Sequence, residues 1–255
     1  MLDMTPYLTH APAWQESWDR QQEAYLPDRE HRLAAVLDVV DAVTGGAVPR
    51  ILDLAGGTGS ISLRALARFP DAQVTLLDLD PVLLTIGAAS LGDRASIVTA
   101  DLNRPEWTAA LPHTAFDAVL TATALHWLSP ERLSALYAEI RPVLRPGGVV
   151  VNADHMPDDG LPGLTERLVA WADAGRDARY TAGAVLSWRD WWDRLVDDPA
   201  LGPLLEERKV RYPDSHGGEW LPPVSWHLDA LRKAGYSEVG TVWRGGADAA
   251  VAGVR

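Results

Sequence analysis

The sequence predicts an α/β fold: a mostly parallel sheet with helices on both faces, an antiparallel last strand and a tryptophan-rich helical insert. Three observations predict it. Short β-branched runs alternate with helix-length segments between residues 50 and 153, as in strands buried on both faces. The first run ends at Asp53-Leu54 and passes through Ala55-Gly56-Gly57-Thr58-Gly59 into a helix pattern, a turn that brings backbone N–H groups close to a ligand. The last two runs are joined by Arg244-Gly245-Gly246-Ala247-Asp248, a segment suited to a hairpin, which reverses the final strand.

In chain order, residues 1–29 hold Tyr7, Trp14, Trp18 and Tyr25 at spacings that suit a helical segment with an aromatic face. Leu33, Val36, Leu37 and Val40 form one stripe of a helix over 29–43 that ends at Thr44-Gly45-Gly46. Strands are expected at 51–54, 73–78, 96–101, 116–121 and 149–153. Helices are expected at 60–69, 81–89 and 130–144, the last opened by Ser129 as cap and closed by Arg145-Pro146-Gly147-Gly148. Residues 156–222 break the alternation with Pro, Gly, Asp and Trp, and show helical pattern near 162–174 and 187–196. A helix over 222–234 and strands at 238–243 and 249–254 complete seven strands. The expected organisation is an N-terminal helical lid (1–29), a ligand-binding core (30–155 and 223–255) and an inserted cap (156–222).

Composition narrows the function. The 255 residues carry a formal net charge of −12, which disfavours nucleic acid as a partner and favours small molecules. No apolar run is long enough for a membrane span. The absence of cysteine removes disulfides, thiolate metal sites and a cysteine nucleophile. Met1–Pro6 lacks a basic region followed by an apolar core, so no secretory signal is read and a cytoplasmic location is expected. No ligand-spaced His or carboxylate set points to a metal, and adjacent acids such as Asp158-Asp159 read as solvated surface.

Three strand ends carry acids: Asp53, Asp78 and Asp101. Asp78 lies about 20 residues beyond the glycine turn, where a carboxylate can accept from both ribose hydroxyls. A nicotinamide site would want a third glycine where Ser62 stands. The whole pattern resembles the class I S-adenosylmethionine-dependent methyltransferases. The resemblance covers 30–155 and 223–255 and implies a Rossmann-like seven-stranded sheet.

The resemblance implies S-adenosylmethionine as cofactor and S-adenosylhomocysteine as product. It implies that Asp53, Ala55, Gly57 and Gly59 form the first cofactor motif, with Ala55 replacing a glycine of the family pattern. Asp53 would then engage the cofactor's ammonium, directly or through water. It further implies Asp78 on the ribose, Leu79 beside the adenine, Asp101 with Leu102 at the adenine amino group, and Thr121 near the sulfonium.

The acceptor side is sought at the ends of strands four and five. His126, in Leu125-His126-Trp127, reads either as a proton acceptor or as a positional residue under Trp127. Asp154-His155 reads either as a pair that binds or deprotonates an acceptor, or as a polar loop start. Tyr180, His216 and His227 are weaker candidates. Trp171, Trp188, Trp191, Trp192 and Trp220 read as an aromatic wall over the acceptor, a packed cap core, or a contact for a homodimer or partner protein. The leading expectation is methyl transfer to a small organic acceptor in biosynthesis. The alternative is a methyltransferase fold that runs a cyclisation, elimination or hydrolysis with the cofactor structural or absent.

Overall fold

A computed structural model describes residues 10–26, 28–212 and 218–255. Two helices, α1 (Ala11–Tyr25) and α2 (Arg29–Thr44), precede the sheet. The alternating part runs β1 (Arg50–Leu54), α3 (Ser60–Arg68), β2 (Gln73–Asp78), α4 (Pro81–Leu91), β3 (Ala95–Thr99), β4 (Phe116–Ala122), α5 (Pro130–Val143) and β5 (Leu144–His155). Three insert helices follow: α6 (Pro162–Thr181), α7 (Trp188–Asp193) and α8 (Gly202–Arg211). The chain then closes with α9 (Val224–Lys233), β6 (Glu238–Gly245) and β7 (Asp248–Val254).

The strand order is β3-β2-β1-β4-β5-β7-β6. The first five strands are parallel, and β7 runs antiparallel between β5 and β6. The order reverses between β1 and β4, the point at which open α/β sheets bind ligands beyond their carboxyl ends.

Strand alternation sorts the core into two layers. Leu52 and Leu54 of β1 and Val119 of β4 join Leu133, Leu136, Tyr137 and Ile140 of α5 on one face. Ile51, Ala118 and Leu120 point the other way, onto Leu33, Val36 and Leu37 of α2 and Ile61 and Ala65 of α3. A third cluster joins the N-terminal helix to the insert: Ala11 and Trp18 pack with Val82, Leu83 and Ile86 of α4 and with Trp191, Leu195 and Leu201.

Local signals set the helix starts. Asp80 accepts from the N–H groups of Val82 (2.9 Å) and Leu83 (3.2 Å), with Pro81 as first residue of α4. Ser129 caps α5 as expected, accepting from Arg132 N at 3.2 Å. Among the departures from the sequence reading, β3 ends at Thr99 rather than 101, so Asp101 lies beyond the strand instead of closing it. β5 begins at Leu144 rather than 149, because Leu144 pairs with Phe116 across a register shift. Helix α8 was not expected: none of its residues is buried, so it writes no apolar period into the sequence.

Candidate functional site

The turn after β1 is shaped by backbone constraints. Gly59 takes φ +76°, and a Cβ there would meet Leu91 Cδ1 at 2.9 Å. Gly56 is required for a different reason: a Cβ would fall 2.4 Å from Asp53 Oδ1. Ala55, at the place where the family pattern has glycine, holds φ +53°. A methylated Cα in this left-handed region is strained.

Asp53 is fully buried beneath this turn, and its Oδ2 accepts from Ser62 N (2.9 Å) and Ser62 Oγ (2.7 Å). Its Oδ1 has no partner. Burial pushes the Asp53 carboxyl up to about 6 against the two Ser62 bonds, with the Asp78 charge adding to the rise. Asp78 sits at the end of β2 and gathers three backbone donors. Gly57 N donates to Oδ2 (2.7 Å), while Leu79 N (2.7 Å) and Asp80 N (2.8 Å) donate to Oδ1. Burial, with the neighbouring Asp80 charge, still outweighs these donors and raises Asp78 to about 6.

A cavity of about 470 Å³ opens above these residues, within the size range of small-molecule sites. Its floor includes Ala55, Gly57, Asp78, Leu79, Asp101 and Leu102. Asp101 is organised by Asn103, whose N and Nδ2 donate to Oδ1 at 2.8 and 3.1 Å. Asp53, Gly59 and Thr121 lie behind this floor rather than on it. Thr121 is fully buried with Oγ1 unpaired, and the chain enters the wall only at Ala122 to Leu125.

These features fit the methionine end of S-adenosylmethionine. Asp53 Oδ1 is a buried acceptor awaiting a donor, and the Gly56 backbone above it leaves no room for a side chain. Asp78 adds an acceptor carboxylate on the cavity floor one strand away.

The roof comes from both flanking segments. Trp18 of α1 and Trp188 and Trp192 of the insert line the cavity. Trp191 is fully buried behind them, with ring centroids 4.8 Å from Trp18 and 5.1 Å from Trp192. The tryptophan wall is therefore smaller than expected. Trp171 is 75 % exposed, and Trp220 packs edge-on against Trp226 at 4.7 Å. Trp14 donates Nε1 to Asp198 Oδ2 at 2.9 Å, joining α1 to the insert. Tyr7 and His216 lie outside the described residues.

The unexpected helix α8 reaches the cofactor end. Arg208 Nε donates to Asp80 Oδ2 at 2.6 Å, and Arg211 Nη1 donates to the Leu79 carbonyl at 2.9 Å. The Arg208 guanidinium stacks 4.0 Å from the Trp192 ring centroid. Tyr212 lines the cavity near Asp78, Asp80 and Asp101, and burial with these three charges raises its phenol well above the ordinary tyrosine range.

Opposite lies the acceptor-side cluster, where the structure brings all three candidates together. His126 Nδ1 is 2.8 Å from Asp154 Oδ1, which also accepts from His155 N at 2.9 Å. Burial works against the Asp154 charge, but the His126 bond and the two histidine charges prevail and lower its pKa. His155 Nδ1 is 2.7 Å from Asp248 Oδ1, its direct register partner on β7. Asp248 outweighs the burial of His155 and raises its pKa. Arg32 Nη2 bonds the other oxygen of Asp248. None of the three candidates is on the cavity wall, although Leu125 and Trp127, on either side of His126, are.

His227 is held under the core, 2.8 Å from Tyr137 Oη, and burial drops its pKa to about 4, so it packs as a neutral ring. The reading of the sequence missed Arg32 and Asp248. A hairpin that sets β7 against β5 places an acid opposite His155, and that register was the available signal. Arg32 gave none, since a charged residue beside an apolar stripe reads as solvent-facing.

Comparison with known proteins supports this geometry. Residues 51–148 match the model of the methyltransferase domain family. A ubiquinone/menaquinone biosynthesis C-methyltransferase of Methylobacterium nodulans is 39 % identical over 117 residues, 45 % of this chain and 45 % of that protein. A malonyl-[acyl-carrier protein] O-methyltransferase of Laribacter hongkongensis is 30 % identical over 70 % of this chain and 58 % of its own length. The chain thus spans about half the length of the curated relatives it matches. Among solved structures, a putative O-methyltransferase from Nostoc punctiforme shares the fold with TM-score 0.55 at 13 % identity, over 99 % of this chain and 61 % of that one. A putative methyltransferase of Haloferax volcanii, solved with the activator Trm112, shares it with TM-score 0.54 at 15 % identity, over 96 % of this chain and 94 % of that one. The glycine turn over a buried acid, the acid closing β2 and the reversed β7 occur together in one matched domain, and they place this chain among the class I S-adenosylmethionine-dependent methyltransferases.

Proposed function

We propose that this chain transfers a methyl group from S-adenosylmethionine to a small organic acceptor in a biosynthetic reaction. The observation that carries the reading is Asp78, whose carboxylate is fixed by three backbone donors on the floor of a tryptophan-roofed cavity. When bound, the cofactor supplies an activated methyl group on a sulfonium. The protein then has to align the acceptor and exclude water. Asp78 holds the ribose hydroxyls, Asp53 and the Ala55–Gly57 backbone hold the methionine end, and Leu79, Asp101 and Leu102 take the adenine. Trp18, Trp188 and Trp192 keep water out. His126, paired through Nδ1 with Asp154 behind Leu125 and Trp127, positions that part of the wall.

The relatives are named for methylation at carbon and at oxygen, so both acceptor atoms fall within this reading. Residues 1–29 serve as lid and 156–222 as cap, with Trp18 and Trp191 joining them. Among the described residues, no helix is long and apolar enough to cross a membrane. Calorimetric titration with S-adenosylmethionine and S-adenosylhomocysteine, beside the Asp78→Ala variant, tests the reading. Binding that the variant loses supports it. Absence of binding by the unaltered chain sinks it. Product mass separates methylation, which adds one CH₂, from a rearrangement that leaves acceptor mass unchanged.

A further inference from the structure

Arg32 is fully buried and forms part of the cavity wall. Among the described residues only one of its nitrogens is satisfied: Nη2 bonds Asp248, while Nε and Nη1 have no partner there. Buried guanidinium donors are normally all paired, because water has been removed and nothing else compensates them. The Arg32 Cζ lies over the Trp243 ring, 5.0 Å from its centroid, a cation–π contact that helps hold the group in place. Its neighbour Arg29, one turn earlier, also lines the cavity but is committed to Asp19 at 2.9 Å.

Position separates Arg32 from the cofactor end. Its partner Asp248 opens β7, whereas Asp53 lies on β1, three strands away in the order β1-β4-β5-β7. At the usual strand spacing that is roughly 14 Å across the sheet. The unpaired donors therefore belong to the acceptor half. A buried, unpaired guanidinium N–H suits an anionic oxygen such as that of a carboxylate, which it can hold with a charge-assisted bond. Near it the wall carries Leu26 and Leu33 beside the polar Gln22 and Arg29, and Trp127 adds an aromatic surface.

Resting on the methyltransferase reading above, we infer that Arg32 is the docking post for a carboxylate on the methyl acceptor, and that the acceptor is a small carboxylic acid with an apolar or aromatic body. Asp248 and Trp243 are positioning residues that hold the guanidinium for it.

The test uses benzoate and its uncharged isostere benzamide, titrated into the full chain with and without saturating S-adenosylhomocysteine and followed by ligand-observed NMR. The expected result is benzoate binding at least tenfold tighter than benzamide. Arg32→Gln should abolish the difference while its affinity for S-adenosylhomocysteine stays within twofold. Arg32→Lys, which keeps a charge but loses the planar group that reaches Asp248 and the ligand through separate nitrogens, should weaken benzoate at least fivefold and gives a readout should the glutamine variant not fold. Equal binding of benzoate and benzamide overturns the inference. So does a tenfold loss of S-adenosylhomocysteine affinity in Arg32→Gln with benzoate unaffected, which would give the guanidinium to the cofactor's own carboxylate. Failure of the unaltered chain to bind S-adenosylhomocysteine counts against the methyltransferase reading instead, and the benzoate arm run without it still decides the role of Arg32.

Discussion

Arg208 of the last insert helix donates to Asp80, two residues beyond Asp78, at 2.6 Å. Asp80 is 4 % exposed and also caps α4, so the insert is tied to a rigid part of the cofactor end. Arg208→Gln is expected to accelerate S-adenosylhomocysteine release about fivefold to tenfold, in line with loss of a partly buried ion pair of about 1 kcal/mol. Stopped-flow displacement measures it, and an unchanged dissociation rate would remove α8 from the cofactor site. Asp80 itself is the poorer target because its loss also uncaps α4.

Ala55 offers a stabilising change. It occupies the left-handed region at φ +53°, where a Cβ costs about 1–2 kcal/mol. Ala55→Gly should raise unfolding stability by about 1 kcal/mol, less the extra freedom glycine gains when unfolded. Urea unfolding is the readout. Gly59→Ala should act in reverse and more strongly, since φ +76° is joined there by the close approach of Leu91.

Cofactor affinity should depend on pH through Asp78. Its folded pKa is raised to about 6, and hydroxyl donors are best held by the ionised form. The ionised fraction is nearly complete at pH 7.5 and falls as pH drops through 6. Calorimetry should therefore show S-adenosylhomocysteine binding weakening about tenfold between pH 7 and pH 5. Asp53, raised to about 6 as well, steepens the loss if it meets the ammonium. A flat profile down to pH 5 would exclude an ionised Asp78 as ribose acceptor.

Asp154 is 2 % exposed and is the anion against which His126 is set. Asp154→Asn replaces that acceptor with an amide and leaves buried donors mismatched. Denaturant titration should record a destabilisation of about 2–3 kcal/mol. A neutral effect would mean that the cluster is solvated in solution.

Trp191 is fully buried where α1, α4 and the insert meet. Trp191→Ala should cost about 3–5 kcal/mol. Limited proteolysis should then cut within residues 156–222 before the sheet is attacked. Simultaneous cleavage throughout would mean that the insert and sheet unfold as one.

Legibility followed distance along the chain. Asp53, Gly57, Gly59 and Asp78 lie within one βαβ unit, and their spacing alone placed them in the fold. Most strands of 51–122 were readable as apolar runs between turn residues, but β3 buries only Val98, and its end was read at Asp101 rather than Thr99. What stayed hidden depends on partners far away. Arg32 is buried only because Asp248 and Trp243 meet it, and Arg208 matters only because α8 folds back onto Asp80. Thr121 was placed one step too near the ligand, because its side chain points into the sheet and the wall starts with the next residue.

The bond between Arg32 and Asp248 spans 216 positions. The cofactor floor draws instead on residues 55–102, close neighbours in sequence. A ribosome making this chain therefore releases everything needed for the floor long before the closing hairpin emerges. The corner around Arg32 exists only once the hairpin that opens β7 has emerged, so the two halves of the site are separated in the order in which they are made.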